Sequence, residues 1–103
     1  MMSFMPFKKY VMSDSENREG HIHEIIRDLS TSAPQTVAVF DLSEEEMILI
    51  DSMNDGPCFY ADVDGQIVYV FCNYSAHEGF AKYQFMNAGV DVNRYPFSKV
   101  EIR

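Results

Sequence analysis

Cys58-Phe-Tyr-Ala-Asp-Val-Asp-Gly-Gln-Ile-Val-Tyr-Val-Phe-Cys-Asn73 decides the fold. Two strand-like runs, Cys58–Val63 and Gln66–Asn73, flank Asp64-Gly65, the dipeptide best suited to a two-residue type I′ turn. That turn fixes the register: Val63 faces Gln66, Ala61 faces Val68 and Phe59 faces Val70. One face of the hairpin is then almost wholly apolar and includes Cys72. The other carries Tyr60 opposite Tyr69, Cys58 opposite Phe71 and Asp62 opposite Ile67. The two cysteines therefore point to opposite faces, and their spacing gives no disulfide framework.

Working outward, Ser-x-x-Glu recurs at Ser13/Glu16, Ser43/Glu46 and Ser75/Glu78. Each precedes an apolar-periodic stretch, and each predicts a helix start through a capping box, in which serine and glutamate satisfy each other's end of the first turn. The first helix is defined by Ile22, Ile25, Ile26 and Leu29, and Ser30–Pro34 ends it. Thr36–Leu42, β-branched and aromatic, reads as a strand. Glu44–Asp55 reads as a second helix with Gly56 as its stop, and the rival reading is a hairpin arm over Met47–Asp51. On a helix, Glu44, Asp51 and Asp55 share a ~40° arc opposite Leu49, Ile50 and Met53. The third helix runs from Ala76 to about Ala88, with Phe80, Tyr83 and Met86 on one side and Ala81, Phe85 and Ala88 on another. With so few charges it should be deeply packed or part of an interface. Val90–Val92 and Lys99–Ile102 are short strand candidates separated by an Arg94–Phe97 turn. The fold class is α+β: a mainly antiparallel sheet with about three helices packed on it, in the order β-α-β-α-β-β-α-β, as one domain over 1–103.

Charge is the most asymmetric property. Of the net −8, residues 28–81 supply −10, while the front balances and the tail adds +2. No Lys or Arg lies between Arg27 and Lys82. Such a field repels phosphate backbones and attracts basic surfaces. Tyr60, Tyr69 and Phe71 form an aromatic platform, but single-strand binders set such platforms in basic grooves. Here Asp62 and Asp64 adjoin, so direct nucleic-acid binding is disfavoured. No run reaches the ~18 apolar residues of a membrane helix, and Met1–Phe7 lacks a basic leader and cleavage site. A cytoplasmic location is the default expectation.

Chemistry is sparsely signalled. His21 and His23, two apart on a helix, diverge by ~200° and cannot share an ion. Asp62-x-Asp64-Gly65 opens like a calcium loop but supplies no later ligands. No metal, cofactor or catalytic residue is expected. The favoured function is a non-enzymatic acidic protein that docks on a basic, nucleic-acid- or phosphate-binding surface of a protein partner and inhibits or regulates it. In charge and size alone, such a protein resembles immunity and phage counter-defence inhibitors. Glu44, Glu45, Glu46, Asp51, Asp55, Asp62 and Asp64 would supply steering and contacts, with Tyr60 and Tyr69 as anchors. The alternatives are a small enzyme or ligand sensor using His77, Cys72 and nearby carboxylates, and a subunit that self-associates as a homodimer through its third helix.

Overall fold

The computed structural model describes residues 7–14, 16–73 and 78–101. In chain order it contains β1 (Phe7–Val11), a 3₁₀ turn (Met12–Asp14), α1 (Arg18–Leu29), β2 (Thr36–Phe40), α2 (Glu44–Ser52), β3 (Cys58–Val63), β4 (Gln66–Cys72), α3 (Glu78–Asn87) and β5 (Ser98–Lys99). This is the expected α+β order. The strands form one five-stranded sheet, β1-β2-β4-β3-β5. β1 runs parallel to β2, with α1 as the crossover, and the other neighbouring pairs are antiparallel.

The hairpin adopts the register read from its turn, from Val63 opposite Gln66 to Cys58 opposite Phe71. Asp64 and Gly65 take φ of 54° and 92°, the left-handed pair that a type I′ turn needs. The Asp62 carboxylate accepts from the Gly65 amide at 2.8 Å, which holds the tip closed. Because β4 lies between β2 and β3, its side chains must be covered on both faces. On one face, Tyr69 and Phe71 pack with Val37 and Val39 beneath Ile22, Ile25 and Leu29 of α1 and Met47 and Ile50 of α2. On the other, Val68, Val70 and Cys72 meet Ala38, Phe59 and Ala61 beneath Ala81, Phe85 and Ala88 of α3. Phe97 stacks on Phe85 at 5.1 Å and meets Phe59 edge-on, so the C-terminal segment closes that second layer.

One of the three serine–glutamate pairs forms the expected box. Ser43 Oγ accepts from the Glu46 amide at 3.1 Å, and Glu46 Oε1 accepts from the Ser43 amide at 2.9 Å. At the first helix the expectation is corrected: Asn17, not Ser13, caps α1, its side-chain oxygen accepting from the Gly20 amide. A Cβ at Gly20 would stand 2.3 Å from the Asn17 amide nitrogen. The glycine therefore makes room for its own cap. Ser13 lies in the 3₁₀ turn and donates instead to Asp41. Ser75 lies outside the described residues.

Other elements also differ from the spacing, the last strand among them, which is Ser98–Lys99 where Lys99–Ile102 is expected. α2 ends at Ser52 rather than Asp55, because Asn54 donates its amide hydrogens to the carbonyls of Gly56 and Cys72 and turns the chain away. β2 ends at Phe40, where Asp41 takes φ of 61° and leaves the ladder. Val90–Val92 is not a strand. Gly89, at φ 93°, donates to the Met86 carbonyl while Val90 donates to that of Phe85, a Schellman closure that buries Val90 against the end of α3.

Phe71, on the central strand, is the largest fully buried side chain in the α1/α2 layer. Phe71→Ala should lower unfolding free energy by about 3–5 kcal/mol in denaturant titration.

Candidate protein-binding surface

α2 is set in rotation by two grips. Met47 and Ile50 enter the core, and on the flank facing α1 the Arg18 guanidinium forks onto Glu46, with Nε at 3.1 Å from Oε2 and Nη2 at 2.5 Å from Oε1. Arg18 also donates to the carbonyls of Met12 and Asp41. Asp41 in turn accepts from Ser13 Oγ and Gln66 Nε2, each at 2.6 Å. Five segments meet here: the 3₁₀ turn, α1, the β2–α2 corner, α2 and the start of β4. Glu46 is thus engaged internally.

The remaining face of α2 looks outward, and it is not the one expected. Glu44, Asp51 and Asp55 do not stand opposite a buried Leu49 and Met53. Leu49 and Met53 are 49% and 60% exposed, Ile48 is 43% exposed, and Asp55 lies beyond the end of the helix. Burying Met47 and Ile50 together turns the helix so that Glu44, Glu45, Ile48, Leu49 and Ser52 face solvent. The outward face therefore carries Ile48 and Leu49 on either side of a Glu45–Ser52 line, with no basic side chain on the helix itself.

Tyr60 lies on the sheet face that α1 and α2 cover. It shares a face with Tyr69, its cross-strand neighbour, and stands next to Ser98 on the short edge strand β5. Tyr60 is exposed and Tyr69 is buried. Burial raises the Tyr69 phenol pKa, and Cys58, Glu44 and Tyr60 add to the effect. Asp51 is half-buried, and desolvation raises its carboxyl. It lines a shallow depression with Asp55, Gly56, Pro57, Cys58, Lys99, Val100 and Glu101. A second depression, lined by Arg18, Asp41, Glu44, Gly65, Gln66 and Tyr69 among others, joins the start of α2 to the hairpin tip. At that tip Asp62 and Asp64 are exposed, and Asp64 accepts from the Tyr95 hydroxyl at 2.8 Å.

The nine residues singled out from the sequence are thus divided. Glu44 and Glu45 face outward on α2; Asp51 and Asp55 line the depression past its C-terminal end, which Lys99 also lines; Tyr60 is exposed on β3; Asp62 and Asp64 sit at the hairpin tip; Glu46 and Tyr69 face inward. Ile48, Leu49 and Met53 complete the surface. Sequence reasoning missed them because an apolar residue on a short helix reads as core. Spacing along α2 does not say which side the core accepts, and the cap at Ser43 fixes only where the helix begins.

Elsewhere, basic groups from the chain ends meet some acids. Lys8 lies 3.4 Å from Asp28, which also accepts from the Tyr10 hydroxyl. Burial, aided by Asp28, pushes the Tyr10 phenol up to about 12. His21 packs against Tyr10 while His23 is exposed on α1. Among the described residues, no group of three or more His, Cys, Asp or Glu could hold a metal ion. No described helix is long and apolar enough to cross a membrane. His77 lies outside the described residues. Comparison with family models, with curated proteins and with solved structures finds no match to this chain.

Cys58 and Cys72 are buried on opposite faces of the sheet. Desolvation pushes the Cys72 thiol up to about 12 and raises that of Cys58 as well. Neither is a thiolate at neutral pH. At pH 8, an aromatic disulfide reagent should leave both unmodified in the folded protein and titrate both after denaturation.

The Arg18 fork holds the Glu46 carboxyl below its ordinary value, and hydrogen bonds from Ser13 and Gln66 do the same for Asp41. A carboxylate lowered in the folded state stabilises the fold above its unfolded titration range, and loses that contribution as pH falls through the folded value. Stability should therefore decline below roughly pH 4. Glu46→Gln should reduce stability at neutral pH and flatten this acid limb in thermal melts.

Proposed function

We propose that this is a non-enzymatic acidic binding protein that docks through the outward side of α2 on a basic surface of a protein partner and blocks or regulates that surface. The supporting observation is that Ile48 and Leu49, with Met53 at the C-cap, are exposed to solvent on a helix whose only charges are acidic. An exposed apolar patch rimmed by polar groups is the usual anatomy of a protein interface: the centre contributes desolvation, and the rim sets orientation and partner choice. A helix laid into a groove with such spacing is a common recognition mode.

Each part has its own task. Glu44 and Glu45 at the N-terminal end of α2, and Asp51 and Asp55 toward its other end, would steer a cationic groove onto the helix. Leu49 and Met53 would enter the groove. Tyr60 would anchor the β5 side, giving large contact area with few rotatable bonds. Asp62 and Asp64 would extend the acidic rim toward the hairpin tip. Clustered carboxylates imitate the potential of a phosphate chain, so a partner surface that normally holds nucleic acid or phosphate fits this arrangement.

The test is a pull-down with immobilised protein at low and high salt, followed by kinetics on the purified partner. A basic partner released by salt is expected. Glu44→Lys with Glu45→Lys should slow association about 10-fold and weaken its salt dependence. Leu49→Ser should mainly accelerate dissociation. Unchanged kinetics for both variants would show that α2 is not the interface.

A further inference from the structure

A second exposed apolar surface lies on the opposite side of the sheet. α3 buries Ala81, Gln84, Phe85 and Ala88 and turns Gly79, Tyr83 and Met86 straight outward, with Phe80 and Asn87 beside them. Tyr83 is 64% exposed and Met86 50%. A solvent-facing helix centre ordinarily carries charge. Here Glu78 and Lys82, four residues apart, fall by spacing on one edge, and the Gly79–Tyr83–Met86 line between the edges has none.

We propose that this line is the seam of a symmetric homodimer, in which α3 packs antiparallel against α3 of a second copy. Two observations select a second copy as the occupant. The first is electrostatic. Two chains of net charge −8 repel one another, and the acidic middle of the sequence makes most of the surface unfit for self-contact. The centre of α3 is neutral, with Glu78 and Lys82 together on one edge, so two copies can approach along that centre without a carboxylate in it.

The second is self-complementarity, which a two-fold interface requires of a single patch. Gly79 stands four residues before Tyr83, and Met86 three residues after it. A two-fold axis beside Tyr83 therefore sets each Gly79 against the other copy's Met86 and brings the two Tyr83 side chains together. Knob faces notch twice. Among the described residues nothing demands glycine at position 79: a Cβ there would meet no atom within 4 Å. Glycine in a helix costs stability relative to alanine, and close approach of a second helix gives it a purpose. The seam lies across the sheet from α2, so it leaves the Leu49 surface free on each copy.

A single helix face buries on the order of 1,000 Å² in total, the low end for specific interfaces, so the dimer should be reversible at micromolar concentration. Sedimentation velocity across about 1–500 µM should show wild type passing from monomer to dimer. Tyr83→Glu should stay monomeric with an unchanged melting temperature. Gly79→Ala should weaken dimerisation at least ~10-fold while raising the melting temperature of the monomer. Glu44→Lys with Glu45→Lys should leave the dimer intact. A wild type that is monomeric throughout, or a Tyr83→Glu variant that dimerises like wild type, overturns the proposal. So does a Tyr83→Glu variant whose monomer melts much earlier, because the stripe would then be covered from within its own chain.

Discussion

β4 accepts hydrogen-bonding neighbours on both edges and a layer of side chains on both faces, and every residue from Val68 to Cys72 is buried as a result. A strand in that position cannot leave either face to water. The constraint distributes the helices: α1 and α2 must roof Tyr69 and Phe71, and α3 with the C-terminal segment must roof Val68, Val70 and Cys72. Short helices that roof a sheet bury a narrow stripe. α2 spends Met47 and Ile50, and α3 spends Ala81, Phe85 and Ala88. Their remaining apolar residues face outward, because no described element forms a second layer over them.

The polar network around Arg18 complements this arrangement. It joins residues distant in sequence but adjacent at one end of the sheet, and it fixes how α2 is rotated over the core. The same grip takes Glu46 out of the acidic set and holds its flank against α1. Asp41, left-handed and bound by Ser13 and Gln66, anchors the corner where β2 gives way to α2. Because the corner is pinned, the outward face of α2 is presented on a rigid element, which suits a recognition surface.

Much of the fold was legible. The hairpin could be read residue by residue, since Asp64-Gly65 admits one turn geometry and period-two alternation admits one register. Ser43 and Glu46 announced α2 through a local hydrogen-bond exchange that needs no tertiary partner. The failures share a cause. Ser13/Glu16 has the same spacing, but Ser13 is claimed by Asp41, 28 residues away. Val90–Val92 is β-branched like a strand, yet the helix before it needs a buried residue just past Gly89, and Val90 serves. Each time, a local propensity lost to a group supplied from elsewhere in the chain.

The candidate surface divides in the same way. The sequence by itself determined the element order, the hairpin register, the opposed cysteines and the crowding of carboxylates into one interval, because each depends on neighbours within a few positions or on composition alone. Only tertiary structure decided which of those carboxylates reach solvent together. Helical spacing sets the angles between residues but not the zero of rotation. That zero is set by which side chains the core accepts and which ion pair grips the flank, and both partners lie far along the chain. Leu49 and Met53 came to face water, and Glu46 to face Arg18, for that reason.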